Sequence, residues 1–136
     1  MESEPDGKFY FSCLSCFIDL CVVHPSAPSY LSLAGKALGA ASKREKDKTL
    51  LYGQAAQTQG ALFYPLVLES FGALGSRGIE FLSKLADEAS SNGVAALEDV
   101  KVKQYIFRSL SFTLQFMNAI IMSNGSRLSR AKLGQV

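Results

Sequence analysis

Aspartate and glutamate are absent from residues 101–136, and all twelve of the chain's acidic side chains lie before that point. Lys101, Lys103, Arg108, Arg127, Arg130 and Lys132 therefore make the last quarter a cationic arm, although the net charge of the chain is only +2. Such an arm can face a polyanion, and it can equally be the solvated side of a helix and its tail. Long apolar runs are missing too. Gln115 and Asn118 interrupt the most hydrophobic segment, so no stretch reaches the roughly 20 residues a bilayer span needs. The opening Met1-Glu2-Ser3-Glu4 lacks the basic-plus-apolar pattern of a secretory leader. A soluble intracellular protein, nuclear or cytoplasmic and without a membrane partner, is the expectation. Neither internal repeats nor low-complexity segments occur. A length of 136 residues with 48% hydrophobic side chains suits one domain with a modest core. We place that domain at 1–124 and a basic tail at 125–136.

Cysteine and histidine are scarce. Cys13, Cys16, Cys21 and His24 spell C-x2-C-x4-C-x2-H, which offers four zinc ligands on paper. Side chains alternate along a strand, so Cys21 shares a face with Phe17 and Asp19 while His24 falls on the other. The glycines and aromatic residue of a zinc knuckle are also absent. Three reduced thiols and no zinc are expected.

The hydrophobic pattern predicts an α/β fold: a small mixed sheet flanked by helices. Residues 8–11, extending toward 14, and 16–23 read as an antiparallel hairpin, and 61–68 as a third strand whose Pro65 implies an edge or a bulge. Helices are predicted near 30–57, 76–90 and 95–123. On the first, Ala34, Leu38, Ala41, Glu45, Lys48, Tyr52 and Ala55 form the core-facing stripe. On the second, Ile79, Leu82, Leu85, Ala86 and Ala89 point inward. The third is a cover helix with Val102, Tyr105, Ile106, Leu110, Leu114, Met117, Ile120 and Ile121 on one side, ended by Asn124-Gly125. Strand, helix, strand over this length predicts a right-handed crossover with 61–68 parallel to 16–23, which puts Glu69 at the carboxyl end of the sheet, where ligands gather. The turn Phe71-Gly72-Ala73-Leu74-Gly75 before the second helix is a plain turn or a phosphate seat.

One residue breaks the pattern. Phe17-Ile18-Asp19-Leu20-Cys21-Val22-Val23 reads as a strand covered on both faces, yet it carries Asp19. An unpaired carboxylate there costs several kcal/mol, roughly, so Asp19 is either satisfied by N–H groups at the sheet rim or a metal ligand. Lys48 either looks toward the sheet or lays its stem on the edge with its ammonium in water.

The sequence around these residues resembles a known family. An Asp in an apolar strand is followed by the turn His24-Pro25-Ser26-Ala27-Pro28-Ser29-Tyr30, a charged helix with Lys48-x-x-x-Tyr52, then Pro65-Leu66-Val67-Leu68-Glu69-Ser70-Phe71-Gly72-Ala73-Leu74-Gly75. Together these resemble the restriction-like endonuclease region at the C-terminus of non-LTR retrotransposon reverse transcriptase polyproteins, a branch of the PD-(D/E)XK nucleases. The similarity runs from residue 5 to about 120. It implies a restriction-endonuclease-like fold and a metal-dependent endonuclease domain, or its degenerate remnant, hydrolysing DNA phosphodiester bonds, with DNA and RNA of the same element as partners. Pro5-Asp6, Asp19, Lys48 and Tyr52 occupy places comparable to the family's acids, lysine and tyrosine. Asp19, Lys48, Tyr52 and Glu69 are thus the candidate catalytic residues, and Asp6, Asp19 and Glu69 the candidate ligands of Mg²⁺ or Mn²⁺. Carboxylates hold the ion, which activates water and offsets charge developing on the phosphate, while the lysine orients the water. In the family the lysine often stands three residues before the tyrosine; Thr49 stands there here, and Lys48 takes its part from the same helix face.

Asp6 depends on the hairpin. A four-residue loop at 12–15 makes it a diagonal neighbour of Asp19, about 7–8 Å away, whereas a two-residue loop at Leu14-Ser15 moves it about 13 Å off. Pro5-Asp6-Gly7 is also an ordinary turn sequence, and with the first acid upstream of Met1 the chain would be a fragment. A second class of function is a non-catalytic nucleic-acid-binding or protein-interaction module in which Asp19 and Glu69 are structural and the basic arm meets phosphate.

Overall fold

A computed structural model describes the backbone of residues 7–11, 14–91 and 99–133 and the side chains of 15–89, 91 and 102–126. Strand β1 (Gly7–Phe11) pairs antiparallel with β2 (Leu14–Val23), and helix α1 (Gly39–Thr58) carries the chain over to β3 (Ala61–Glu69), which lies parallel to β2. Helices α2 (Ser76–Ser91) and α3 (Asp99–Leu133) follow. The sheet order β1-β2-β3 makes β3 an edge strand, where Pro65 is tolerated because the missing N–H faces no further strand. A mixed α/β domain was therefore legible from periodicity.

The strand alternation sorts the core into two layers. Odd-numbered residues of β2 and β3 face α1: Val23 and Val67 pack with Ala40 and Ala41, while Phe17, Ala61 and Phe63 pack with Tyr52 and Ala56. Even-numbered residues face α2 and α3, where Cys16, Tyr64, Leu66 and Leu68 meet Leu74, Phe81 and Leu82. Ile106, Phe107, Leu110 and Leu114 of α3 close this second layer.

Several expectations are corrected. Residues 30–57 are not one helix, because a 3-10 helix (Pro28–Leu33) ends early and α1 starts only at Gly39 after Leu38 adopts a left-handed conformation at φ 55°. The break is steric: a Cβ on Gly39 would lie 2.7 Å from the Leu33 carbonyl oxygen, so the chain can fold back there only at glycine. On α1, Ala56 rather than Ala55 is buried. The hairpin takes neither predicted loop. Leu14 pairs with Phe11, which puts Leu14 and Ser15 into the ladder and sets Gly7 opposite Ile18. Nor is β2 covered on both faces, since α3 leaves Leu20 49% and Val22 53% exposed. The third helix runs through Asn124-Gly125 to Leu133, because an uninterrupted helix keeps its hydrogen-bond ladder where no tertiary contact asks for a turn. Its predicted start near 95 lies outside the described residues. Its stripe also shifts: Phe107 packs inward, while Tyr105, Met117, Ile120 and Ile121 are exposed. On α2, Phe81 is buried and Ile79 is exposed. Among the described residues no helix is long and apolar enough to cross a membrane.

Cys16 is fully buried beneath α2, and burial pushes its thiol above the ordinary cysteine range, with Lys84 acting weakly in the other direction. Its thiolate is therefore scarce and unreachable in the native state. In a chain carrying Cys13→Ser and Cys21→Ser, an aromatic disulfide reagent at mildly alkaline pH should react with Cys16 only on adding denaturant. Prompt stoichiometric release from the native variant would contradict this packing.

Candidate functional site

The site begins with the alternation that turns Asp19 toward α1. Its side chain is 7% exposed, and Lys48, one turn before Tyr52 on α1, reaches down so that Nζ donates to Asp19 Oδ2 at 2.5 Å. The Lys48 side chain is itself only 13% exposed. Its ammonium also lies 5.8 Å from the centre of the Tyr52 ring, which in turn packs on Phe63 at 5.6 Å. A cation held between a carboxylate and an aromatic face is stabilised from both sides, which compensates for removing it from water. Of the two readings of Lys48, the structure takes the inward one.

Glu69 is not beside this pair. It stands opposite Val23 in the parallel ladder, whereas Asp19 stands opposite Pro65. Four residues of strand separate the two positions, about 13 Å at roughly 3.3 Å per residue, with the fully buried Val67 between them. That span exceeds the roughly 4 Å between ions in two-metal sites, so Asp19 and Glu69 do not share a metal as a neighbouring pair. The Glu69 carboxylate has another partner: Oε1 accepts the backbone N–H of Ala41, in the first turn of α1, at 3.2 Å. Leu38 offers α1 no side-chain cap, and a carboxylate arriving from the end of β3 supplies it.

Glu45 repeats the device at the next helix. It is buried on the inner side of α1, where Oε1 accepts from the backbone N–H of Arg77 at 2.9 Å and Oε2 from the Ser76 hydroxyl at 3.1 Å. These are the first two residues of α2. A carboxylate therefore fills the place where a phosphate would sit, and the turn before α2 is not an anion seat. The signal in the sequence was faint: Glu45 on an apolar stripe, and an α2 whose first turn contains no acid.

At the carboxyl end of the strands, His24 Nδ1 and Ser70 Oγ share a hydrogen bond of 2.6 Å, and the His24 ring tilts against Phe71 at 5.4 Å. Asn118 of α3 donates to the Ser70 carbonyl at 2.7 Å, tying the long helix to this turn. His24 is thus turned to the β3 end, away from Cys21, which packs under α1. On the opposite layer, Lys84 donates to the Tyr64 hydroxyl at 2.6 Å and to Glu80 at 3.0 Å, bonds that raise its pKa, while the Lys84 bond first and Arg77 next hold Glu80 below the usual carboxylate range.

Asp6 and Cys13 lie outside the described residues. Among the described residues, no three acidic, histidine or cysteine side chains gather as a set for one metal. Comparison with protein-family models, with curated proteins and with solved structures finds no match to this chain.

Proposed function

We propose that this chain is a metal-dependent DNA endonuclease domain of the restriction-like kind, of retroelement origin. The observation that carries the reading is that Asp19 on β2 meets the Lys48–Tyr52 pair of α1, 29 residues further along the chain at Lys48, and that the family resemblance singles out these three together. Asp19 fits an ion of the Mg²⁺ or Mn²⁺ type in kind, as a hard oxygen donor. Such ions are commonly held by one or two protein carboxylates, with water and substrate phosphate filling the remaining positions. When bound, the ion would activate water and offset charge developing on the scissile phosphate. Lys48 holds its ammonium against Asp19, where it can orient an attacking water or stabilise an oxyanion. The Tyr52 ring, 5.8 Å from that ammonium, gives it a second favourable contact. Glu69 has no part in the chemistry on this reading; it holds α1, and with it Lys48, in place.

A second reading has its own support. The two buried glutamates both cap helices, and the Asp19–Lys48 pair is nearly closed to solvent, as a structural core of a non-catalytic nucleic-acid-binding or protein-interaction module would be. Nicking of supercoiled plasmid by the purified chain with Mg²⁺ or Mn²⁺ separates the two. The endonuclease reading expects metal-dependent nicking that Asp19→Asn removes and Lys48→Ala reduces by about 10²-fold or more, the scale of a lost proton-handling or water-positioning group. Nicking unaffected by Asp19→Asn overturns the role given to Asp19, and none in a chain that folds and binds DNA favours the module.

A further inference from the structure

The outer side of α1 carries a feature that neither the buried pair nor the C-terminal arm explains. Two depressions, of about 540 Å³ and about 290 Å³, flank this helix. One opens toward the start of α2 and the other toward the 3-10 helix Pro28–Leu33. Ser42 and Lys46 line both, so the two adjoin across α1 and are taken together as a groove.

Beside Leu33, Thr49 and Leu50, the charged part of its lining is basic. Lys36, Lys43, Lys46 and Arg77 contribute four cations, and Ser32, Ser42 and Ser76 add hydroxyls. Glu45 is the single acid in the lining, and its carboxylate is committed to the N–H and hydroxyl groups of Arg77 and Ser76. The side chains of Lys36 and Lys46 are exposed, and neither ammonium makes a hydrogen bond or ion pair with another described residue. Lys43 meets only the exposed Asp47 at 3.0 Å and the Tyr30 ring at 6.0 Å, a pairing weak enough to exchange for a better anion. Lys43 and Lys46 stand three residues apart on one helix face, about 5–6 Å between Cβ atoms, close to the repeat of successive phosphates. Hydroxyls and lysines without exposed aromatic rings read phosphate and not bases.

We propose that this groove binds the phosphodiester backbone of nucleic acid without sequence preference, through Lys36, Lys43 and Lys46. The inference deepens the endonuclease reading by giving its substrate a track over α1, the helix that carries Lys48. Binding can nevertheless be tested without cleavage. Fluorescence anisotropy in chelator, with a mixed-sequence duplex DNA and with a single-stranded RNA, should show affinity falling steeply between about 50 and 200 mM salt. The variant Lys36→Ala/Lys43→Ala/Lys46→Ala should flatten the log–log slope by about 2.7 for the duplex and about 2.1 for the single strand, so that over this salt range the native chain loses roughly 40-fold more duplex affinity than the variant. The probe bound more tightly at one fixed salt concentration identifies the preferred form. The three lysines are on the surface, so an unchanged thermal midpoint verifies the fold, and Lys46→Glu gives a second variant expected to bind more weakly than Lys46→Ala.

A triple variant with native affinity and slope overturns the groove. So does a native chain that binds neither probe at low salt, or binding abolished by Arg127→Ala/Arg130→Ala/Lys132→Ala alone. Groove-dependent binding without nicking overturns only the endonuclease reading; nicking with groove-independent binding overturns only the groove.

Discussion

Lys48→Met should lower the stability of the domain by about 3–5 kcal/mol, which for a domain of this size is a fall of roughly 10–20 °C in the thermal midpoint. The expectation follows from what the substitution leaves behind. Asp19 is 7% exposed and faces the underside of α1, so removing its ammonium partner strands a carboxylate where water hardly reaches it. Methionine nearly fills the lysine stem's volume, which keeps the packing against Tyr52 and isolates the charge effect. The pair itself is a different matter from either half. Replacing both partners, as in Asp19→Leu/Lys48→Met, should recover most of the loss, because taking two charges out of water costs about what their attraction returns. Thermal melts of the native chain, the two single variants and the double variant measure the coupling. A Lys48→Met midpoint within a degree or two of native would mean that Asp19 is not held by Lys48.

Asp19, Lys48 and Tyr52 were legible for two reasons, and both are local. An acid within an apolar strand demands a partner whatever the fold, and Lys48 and Tyr52 lie four residues apart on the helix face that any crossover turns toward the sheet. Glu69 does lie at the carboxyl end of the sheet, but its distance from Asp19 was not legible, because it depends on register, and register is set by the whole β2–β3 ladder rather than by the residues near the acid. The same holds for the hairpin, where Leu14 and Ser15 could be loop or ladder until their pairing with Tyr10 and Phe11 is known. Helix caps that arrive from another element have no signature in the helix they cap. Neither α1 nor α2 shows an acidic residue in its first turn, and both are held by glutamates 28 to 32 residues away in sequence. The groove over α1 was hidden differently: the helical stripe already turned Glu45 and Lys48 inward, but only the fold shows that Lys43 and Lys46 stand outside beside Lys36, which precedes the helix.

Gly75→Ala should cost about 3 kcal/mol, toward the upper end of what overpacking does, although Gly75 has an ordinary backbone conformation and adds only a methyl group. A Cβ there would lie 2.1 Å from Glu45 Oε1 and 2.8 Å from its carboxyl carbon. An exposed glutamate would swing aside at little cost. Glu45 cannot, because it is 5% exposed and any retreat leaves the Arg77 N–H without its acceptor and a carboxylate without its donors. Nor can the backbone yield easily, since Gly75 N–H donates to the Val67 carbonyl at 2.8 Å and the same carbonyl would be 3.3 Å from the new methyl. The cause is thus one side chain, and that makes the effect separable. Glu45→Ala alone should cost about 1–2 kcal/mol as a lost cap and a lost hydrogen bond. In the Glu45→Ala background, Gly75→Ala should then cost less than about 1 kcal/mol, so the double variant should be no worse than Gly75→Ala by itself. Denaturant melts of the four proteins, compared at constant m, read this directly. Two losses that simply add would show that the turn before α2 resists the methyl group for a reason other than Glu45, and that the buried carboxylate is not what fixes the start of α2.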